Sequence, residues 1–201
     1  MRARRAASAV LVAFLVGGAG PGAAKAQDDF GWIDWERLDA GEVLLESIKE
    51  SRGTVTIELA IAIDADRGSI WEILTACEVS PEYVPHVVAC RRIASIADGD
   101  AELFEQTVKP AFFLPRFEHV FRLDYDPPER IGVSHVSGPI DRMEGGWRLL
   151  ERPNGAIALL HTLTLNPGFP VPRFFVRNTL ERDLPEVLRE IRRRAEAAEA
   201  E

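Results

Sequence analysis

The sequence predicts an α+β fold: a curved antiparallel sheet closed around one long C-terminal helix. Three observations carry this. Apolar segments with strand-like alternation follow one another from residue 86 to residue 165, separated by short polar turns. The residues from Phe174 onward read as one long helix with a single apolar stripe. A one-sided sheet and a one-striped helix each need the other to bury their apolar faces.

The elements follow in chain order. Arg2, Arg4 and Arg5 precede the run AASAVLVAFLVGGAG, which leads to Ala24-Lys25-Ala26. A basic start, a short apolar core and an A-x-A end describe a secretory signal peptide cut after Ala26. A membrane anchor needs about 20 continuous apolar residues, and this run is shorter and broken by glycines. Residues 27–201 contain no repeat, low-complexity segment or linker and read as one domain.

EVLLESI (42–48) and TVTIELAIAI (54–63) read as strands joined by a hairpin at Glu50–Gly53. Asp64 or Asp66 caps a helix over GSIWEILTA, where Ile70, Ile73 and Leu74 keep helical spacing, and a short helical turn sits near Pro81–Val84. Strands over 86–96 and 101–109 flank a turn at 98–100. Strands over 116–126 and 130–138 flank Pro127-Pro128, and strands over 146–152 and 156–165 flank Pro153-Asn154-Gly155. In the final helix the stripe is Val176, Leu180, Leu184, Val187 or Leu188, and Ile191, and Pro185 should kink or divide it.

This order, together with four motifs, resembles the START-like, or Bet v 1-like, helix-grip superfamily, which includes polyketide cyclases and coenzyme Q-binding proteins. The motifs are D-A-x-x-x-x-I-W-x-I-L-T from Asp64 to Thr75, Tyr83-Val84-Pro85, the GGWRL of Gly145–Leu149, and the NPGFPVP lead into the last helix. The resemblance covers Val43 to Ala195. It implies an apolar cavity between sheet and helix that holds a hydrophobic small molecule.

Strand parity places the ends of that cavity. Connections of an up-and-down sheet alternate between its two ends. The polar turns at 98–100, 127–130 and 153–155 share one end, so residues 80–86, 110–115, 138–146 and 166–173 gather at the other. These read SPEYVPH, PAFFLP, GPIDRMEGG and NPGFPVPR, and three of the four carry large apolar side chains stiffened by prolines. Such loops hold their shape at low entropic cost and form either an apolar portal or a plug in a filled core. A portal carries the expectation of transient membrane contact through residues 110–115.

Alternation also says what lines the interior. Phe117, His119, Phe121, Leu123 and Tyr125 share one face, and His135 points the same way from the next strand. A three-residue Pro-Asn-Gly loop sets Arg152 opposite Ala156 and Trp147 opposite His161; a two-residue Asn-Gly turn would set Arg148 opposite His161. The first is preferred because proline suits the second position of a type I turn. The candidate ligand-binding residues are Val84, Phe112, Phe113 and Phe174 at the rim. Inside are Trp71, Phe104, His119, Phe121, Tyr125, His135, Trp147 and His161. The inner histidines are either satisfied core groups or partners of a ligand's polar head.

Several function classes fall away. Residues 1–26 hold four of the 24 Lys+Arg and none of the 32 Asp+Glu, so a chain starting at Gln27 carries a net charge of −12. That repels nucleic acid and acidic lipid headgroups. No Ser-His-Asp order, phosphate loop or dinucleotide fingerprint is present, and the histidines lack a carboxylate or cysteine at metal-ligand spacing, so neither cofactor nor metal is expected. Cys77 and Cys90 form a disulfide in an oxidising compartment or remain two buried thiols. The expectation is a periplasmic or secreted carrier for a lipid-like molecule such as a quinone, acyl lipid or polycyclic terpenoid. The alternative is a cyclase or dehydratase acting on a polyketide-like substrate in the same cavity.

Overall fold

Isoleucine and leucine at alternate positions of Thr54–Ile63 decide where that strand goes. Ile57, Leu59, Ile61 and Ile63 are wholly buried, so the strand sits inside the sheet and needs a neighbour on each side. In the computed structural model, which describes residues 30–51, 54–112 and 114–199, those neighbours are β1 (Leu44–Ser51) and, far along the chain, β8 (Ile157–Asn166). With β2 as Thr54–Ile63, the remaining strands are β3 (Val87–Ile96), β4 (Ala101–Val108), β5 (Phe117–Asp126), β6 (Arg130–Ser137) and β7 (Arg142–Glu151). Among the described residues they form one eight-stranded antiparallel sheet, in the order β1-β2-β8-β7-β6-β5-β4-β3. The proposed leader, residues 1–26, lies outside the described residues, as does Phe113.

Among the described residues, three α-helices complete the fold: α1 (Trp35–Asp39), α2 (Arg67–Thr75) and α3 (Arg173–Ala198). Asp66, one of the two residues expected to cap α2, accepts from the Ser69 N–H at 3.0 Å. Helix α3 lies against β2 with Val187, Leu188, Ile191 and Ala195 buried. It runs through Pro185 as one helix, so the expected division does not occur. An interior proline costs about 3 kcal/mol. Burying Leu188 and Ile191 at about 1.5–3 kcal/mol each offsets it.

The sequence predicts no helix before the first strand, but α1 stands there, capped by Asp34 and anchored by the wholly buried Leu38. Its outer side holds Arg152, whose guanidinium lies 4.1 Å from the centre of the Trp35 ring and bonds Asp39 at 2.9 Å. Strand β7 begins at Arg142, four positions before the predicted residue 146. Gly145 and Gly146 look like a loop in sequence but lie within the strand, at φ 144° and 149°. A Cβ on Gly145 would stand 2.0 Å from the Thr162 carbonyl oxygen, and one on Gly146 2.1 Å from that of Ile131. The glycine pair lets the neighbouring strands close on β7 from both sides.

Cys77 and Cys90 are joined in a disulfide, their Cα atoms 5.5 Å apart. It ties the 3-10 turn Cys77–Glu82 to β3 and so anchors one of the four loops at the proline-rich end.

Candidate ligand-binding site

The four proline-rich segments meet around one cavity. Val84, Pro85 and His86 come from the first, Pro110 and Leu114 from the second, Ile140 and Met143 from the third, and Pro167, Phe169 and Val171 from the fourth. The floor is the inner face of the sheet, through Gln106, Phe117, His119, Leu163 and Leu165. The lid is α3, through Phe175, Val176, Thr179, Leu180, Asp183, Leu184 and Val187. The cavity volume is about 240 Å³, and its wall is almost wholly aliphatic and aromatic. A smaller cavity of about 150 Å³ lies beside it, lined by Leu74, Cys77, Ser80, Tyr83, Phe121, Leu123, Val133 and Trp147. Val84, Gln106 and Val187 border both.

Alternation on β5 turns Phe117, His119 and Phe121 inward, as a period of two requires. Their rings form a row, His119 lying 6.0 Å from Phe117 and 5.7 Å from Phe121, centre to centre. Gly138, at φ 116°, lets the loop after β6 cross hard against this row; a Cβ there would stand 2.7 Å from the Cβ of His119. His119 is 3% exposed. Its Nε2–H donates to Gln106 Oε1 at 3.1 Å, and the Gln106 amide turns its N–H toward Cys90 Sγ at 3.9 Å. That leaves the Nδ1 lone pair buried without a partner. Burial, with His135 adding to it, pushes the His119 imidazole down to about 4, so it is neutral near pH 7.

The other polar groups differ. His135 stacks on His119 at 6.4 Å, and its Nε2 is also buried without a partner. His161 stands opposite Trp147 in the register. Its Nδ1–H donates to the Gly146 carbonyl at 3.0 Å, and it borders neither cavity. Burial pushes it, too, down to about 4. At the mouth, His86 Nε2–H donates to Asp183 Oδ2 at 3.0 Å, linking the first loop to α3.

Of the residues singled out from sequence, Val84 and His119 line the larger cavity, and Phe121 and Trp147 the smaller. Phe104 is wholly buried, stacked on Phe121 at 5.6 Å. Trp71 and Tyr125 pack on each other at 5.9 Å, and the Tyr125 hydroxyl donates to Glu102. Phe112 is 92% exposed and Phe174 66%; both were expected at the rim, neither lines the cavity, and the neighbouring Phe175 does. Sequence reasoning passed over Gln106, Asp183 and Phe175. Gln106 shares its face of β4 with Phe104 and Val108, and Asp183 lies one helical turn from Thr179, so alternation and helical spacing could have found both.

The cavity between a long C-terminal helix and a curved sheet invites comparison with known proteins. The profile of the family described as polyketide cyclase / dehydrase and lipid transport matches residues 63–192. The chain belongs to that family. Solved structures share its START-like fold. The Zhui aromatase/cyclase from Streptomyces sp. R1128 superimposes with a TM-score of 0.58 at 21% identity, covering 72% of this chain and 98% of that one. A STAR-related lipid transfer protein from Xanthomonas axonopodis gives 0.61 at 14% identity, covering 77% and 98%. Human STARD10 gives 0.61 at 11% identity, covering 74% and 72%. At these identities the likeness shows the fold alone. No curated protein sequence matches the chain.

Proposed function

We propose that the protein is an exported carrier that holds a lipid-like small molecule between sheet and helix and shields it from water. The observation that carries this reading is the cavity wall. Four proline-stiffened loops and the inner face of α3 surround a space with few polar groups, most of them paired to other side chains. A wall of this kind favours burial of an aliphatic chain or fused rings, at about 0.8 kcal/mol per CH₂. Ten buried methylenes then supply about 8 kcal/mol, the scale of micromolar affinity. The family description, which names lipid transport, supports the same reading.

Export rests on the composition of residues 1–26, and the carrier would work in the periplasm or outside the cell. Fractionation with N-terminal sequencing tests this: the mature chain should begin near Gln27, and an intact Met1 in the cytoplasm would refute it. Phe112 and Phe174, both exposed at the cavity end, would touch the bilayer during loading. The carrier reading itself is tested by incubating the purified protein with a total lipid extract of its host and recording native mass spectra. A bound apolar species at near one-to-one stoichiometry is the expected result; no retained species overturns it. One observation favours the cyclase or dehydratase reading instead: His119 is neutral at the cavity wall with a free lone pair, as a general base must be.

A further inference from the structure

We infer that the carried molecule presents a hydroxyl group to His119, so that the ligand is an apolar alcohol rather than an ether, ester, ketone or carboxylate. The inference rests on the carrier reading and narrows the chemistry of its ligand.

His119 carries one buried lone pair that no group among the described residues uses. Gln106 Oε1 only accepts hydrogen bonds, so the 3.1 Å contact places the His119 proton on Nε2. The reverse orientation of the Gln106 amide would set its carbonyl oxygen against Cys90 Sγ, a disulfide sulfur with no hydrogen to donate. Nδ1 of His119 is therefore a pure acceptor, buried and without a partner, on a side chain at the cavity wall. Buried polar atoms are almost always bonded, and what this one lacks is a donor.

The surroundings narrow the donor further. His86 and Asp183 are bonded to each other, and Gln106 is occupied by His119. His135, whose ring stacks on that of His119 at 6.4 Å, also has a buried Nε2 without a partner but borders neither cavity. A hydroxyl donates one hydrogen bond and accepts two. It can give its proton to the His119 lone pair. Ether, ester and ketone oxygens only accept, so they would face the His119 lone pair with their own. A carboxylate would add a charge to an apolar wall. An ammonium could donate but would lose its hydration, and the carboxylate that lines the cavity, Asp183, is already bonded to His86.

The test compares 1-dodecanol, methyl dodecyl ether and dodecane, delivered from cyclodextrin. Binding is read by tryptophan fluorescence and corrected for the water solubility of each probe. The alcohol should bind about tenfold tighter than the ether, the worth of one well-made buried hydrogen bond. In His119→Phe the ratio should fall to within about twofold. Equal binding of alcohol and ether overturns the inference and leaves the carrier reading standing. A preference that survives in His119→Phe overturns the assignment to His119. Binding of none of the three removes both readings. If the Phe variant does not fold, ¹⁵N-labelled histidine decides. One unprotonated ring nitrogen should shift upfield with the alcohol and not with the ether; no such shift overturns the inference.

Discussion

The imidazole of His161 lies against the indole of Trp147 with ring centres 3.7 Å apart, while its Nδ1–H holds the Gly146 carbonyl at 3.0 Å. Both contacts are within the sheet, and His161 borders neither cavity. Replacing His161 by Gln should therefore cost stability through the lost stacking, about 0.5–1.5 kcal/mol, and the lost hydrogen bond, about 1 kcal/mol. The urea midpoint should fall accordingly. Affinity for an apolar ligand should stay within about twofold of the original, which is less than one hydrogen bond. A large loss of affinity at unchanged stability would place His161 on the ligand's path.

His119 and His161 also make stability depend on pH. Burial holds both at about 4 in the folded protein, against about 6.5 in the unfolded chain. Between those values the unfolded state binds more protons, so stability is fully present above pH 6.5 and is lost as pH falls toward 4. Each group contributes at most about 3 kcal/mol. Urea unfolding between pH 7.5 and 4.5 should show this decline, and a His119→Gln/His161→Gln protein should show a flatter one. A wild-type midpoint that stays constant to pH 4.5 would contradict the burial of both rings.

Gly146→Ala should be among the most damaging single changes. The added Cβ would stand 2.1 Å from the Ile131 carbonyl oxygen, and the backbone there has φ 149°. Backbone on the neighbouring strand cannot yield as a flexible side chain does, so the loss should exceed about 4 kcal/mol. Gly99→Ala, where no atom lies within 4 Å of the new Cβ but φ is also positive, serves as the control for backbone strain alone. Equal melting temperatures for the two variants would refute the close approach.

At the rim, Phe112→Ser/Phe174→Ser should leave the melting temperature nearly unchanged, because both rings are mostly exposed. Transfer of a fluorescent lipid between liposomes should slow severalfold if these rings enter the bilayer. Transfer at the original rate would remove membrane contact from the proposed function.

Much of the fold was legible because its periodicities are clean. The alternation of Phe117, His119 and Phe121 placed three rings inside, and Pro153-Asn154-Gly155 set the register of the last hairpin. There Gly155 has φ 88°, and the Arg152 N–H donates to the Ala156 carbonyl at 2.9 Å, which brings Trp147 opposite His161. What stayed hidden lacked a period or depended on distant partners. Helix α1 is five residues long, too short to show a stripe. Gly145 and Gly146 signal a turn in sequence yet serve a crowded strand. Phe174 and Phe175 are adjacent apolar residues that the helical stripe alone did not tell apart, and the His86–Asp183 link joins residues 97 apart in the chain. Local pattern located the cavity's end but not which side chains close it.

The strand order has a consequence in time as well as space. The Thr56 and Thr164 hydroxyls meet at 3.0 Å across 108 residues of chain, because β2 waits for β8 as its second neighbour. Contacts of such long sequence separation form slowly, since the loop between them must close before any of them is gained. On the ribosome, Ile57, Leu59, Ile61 and Ile63 emerge early and stay uncovered until β8 and α3 have been made. The sheet closes on the second side of β2 only once β8 is available, so that apolar face is the part of the molecule most exposed to aggregation during folding.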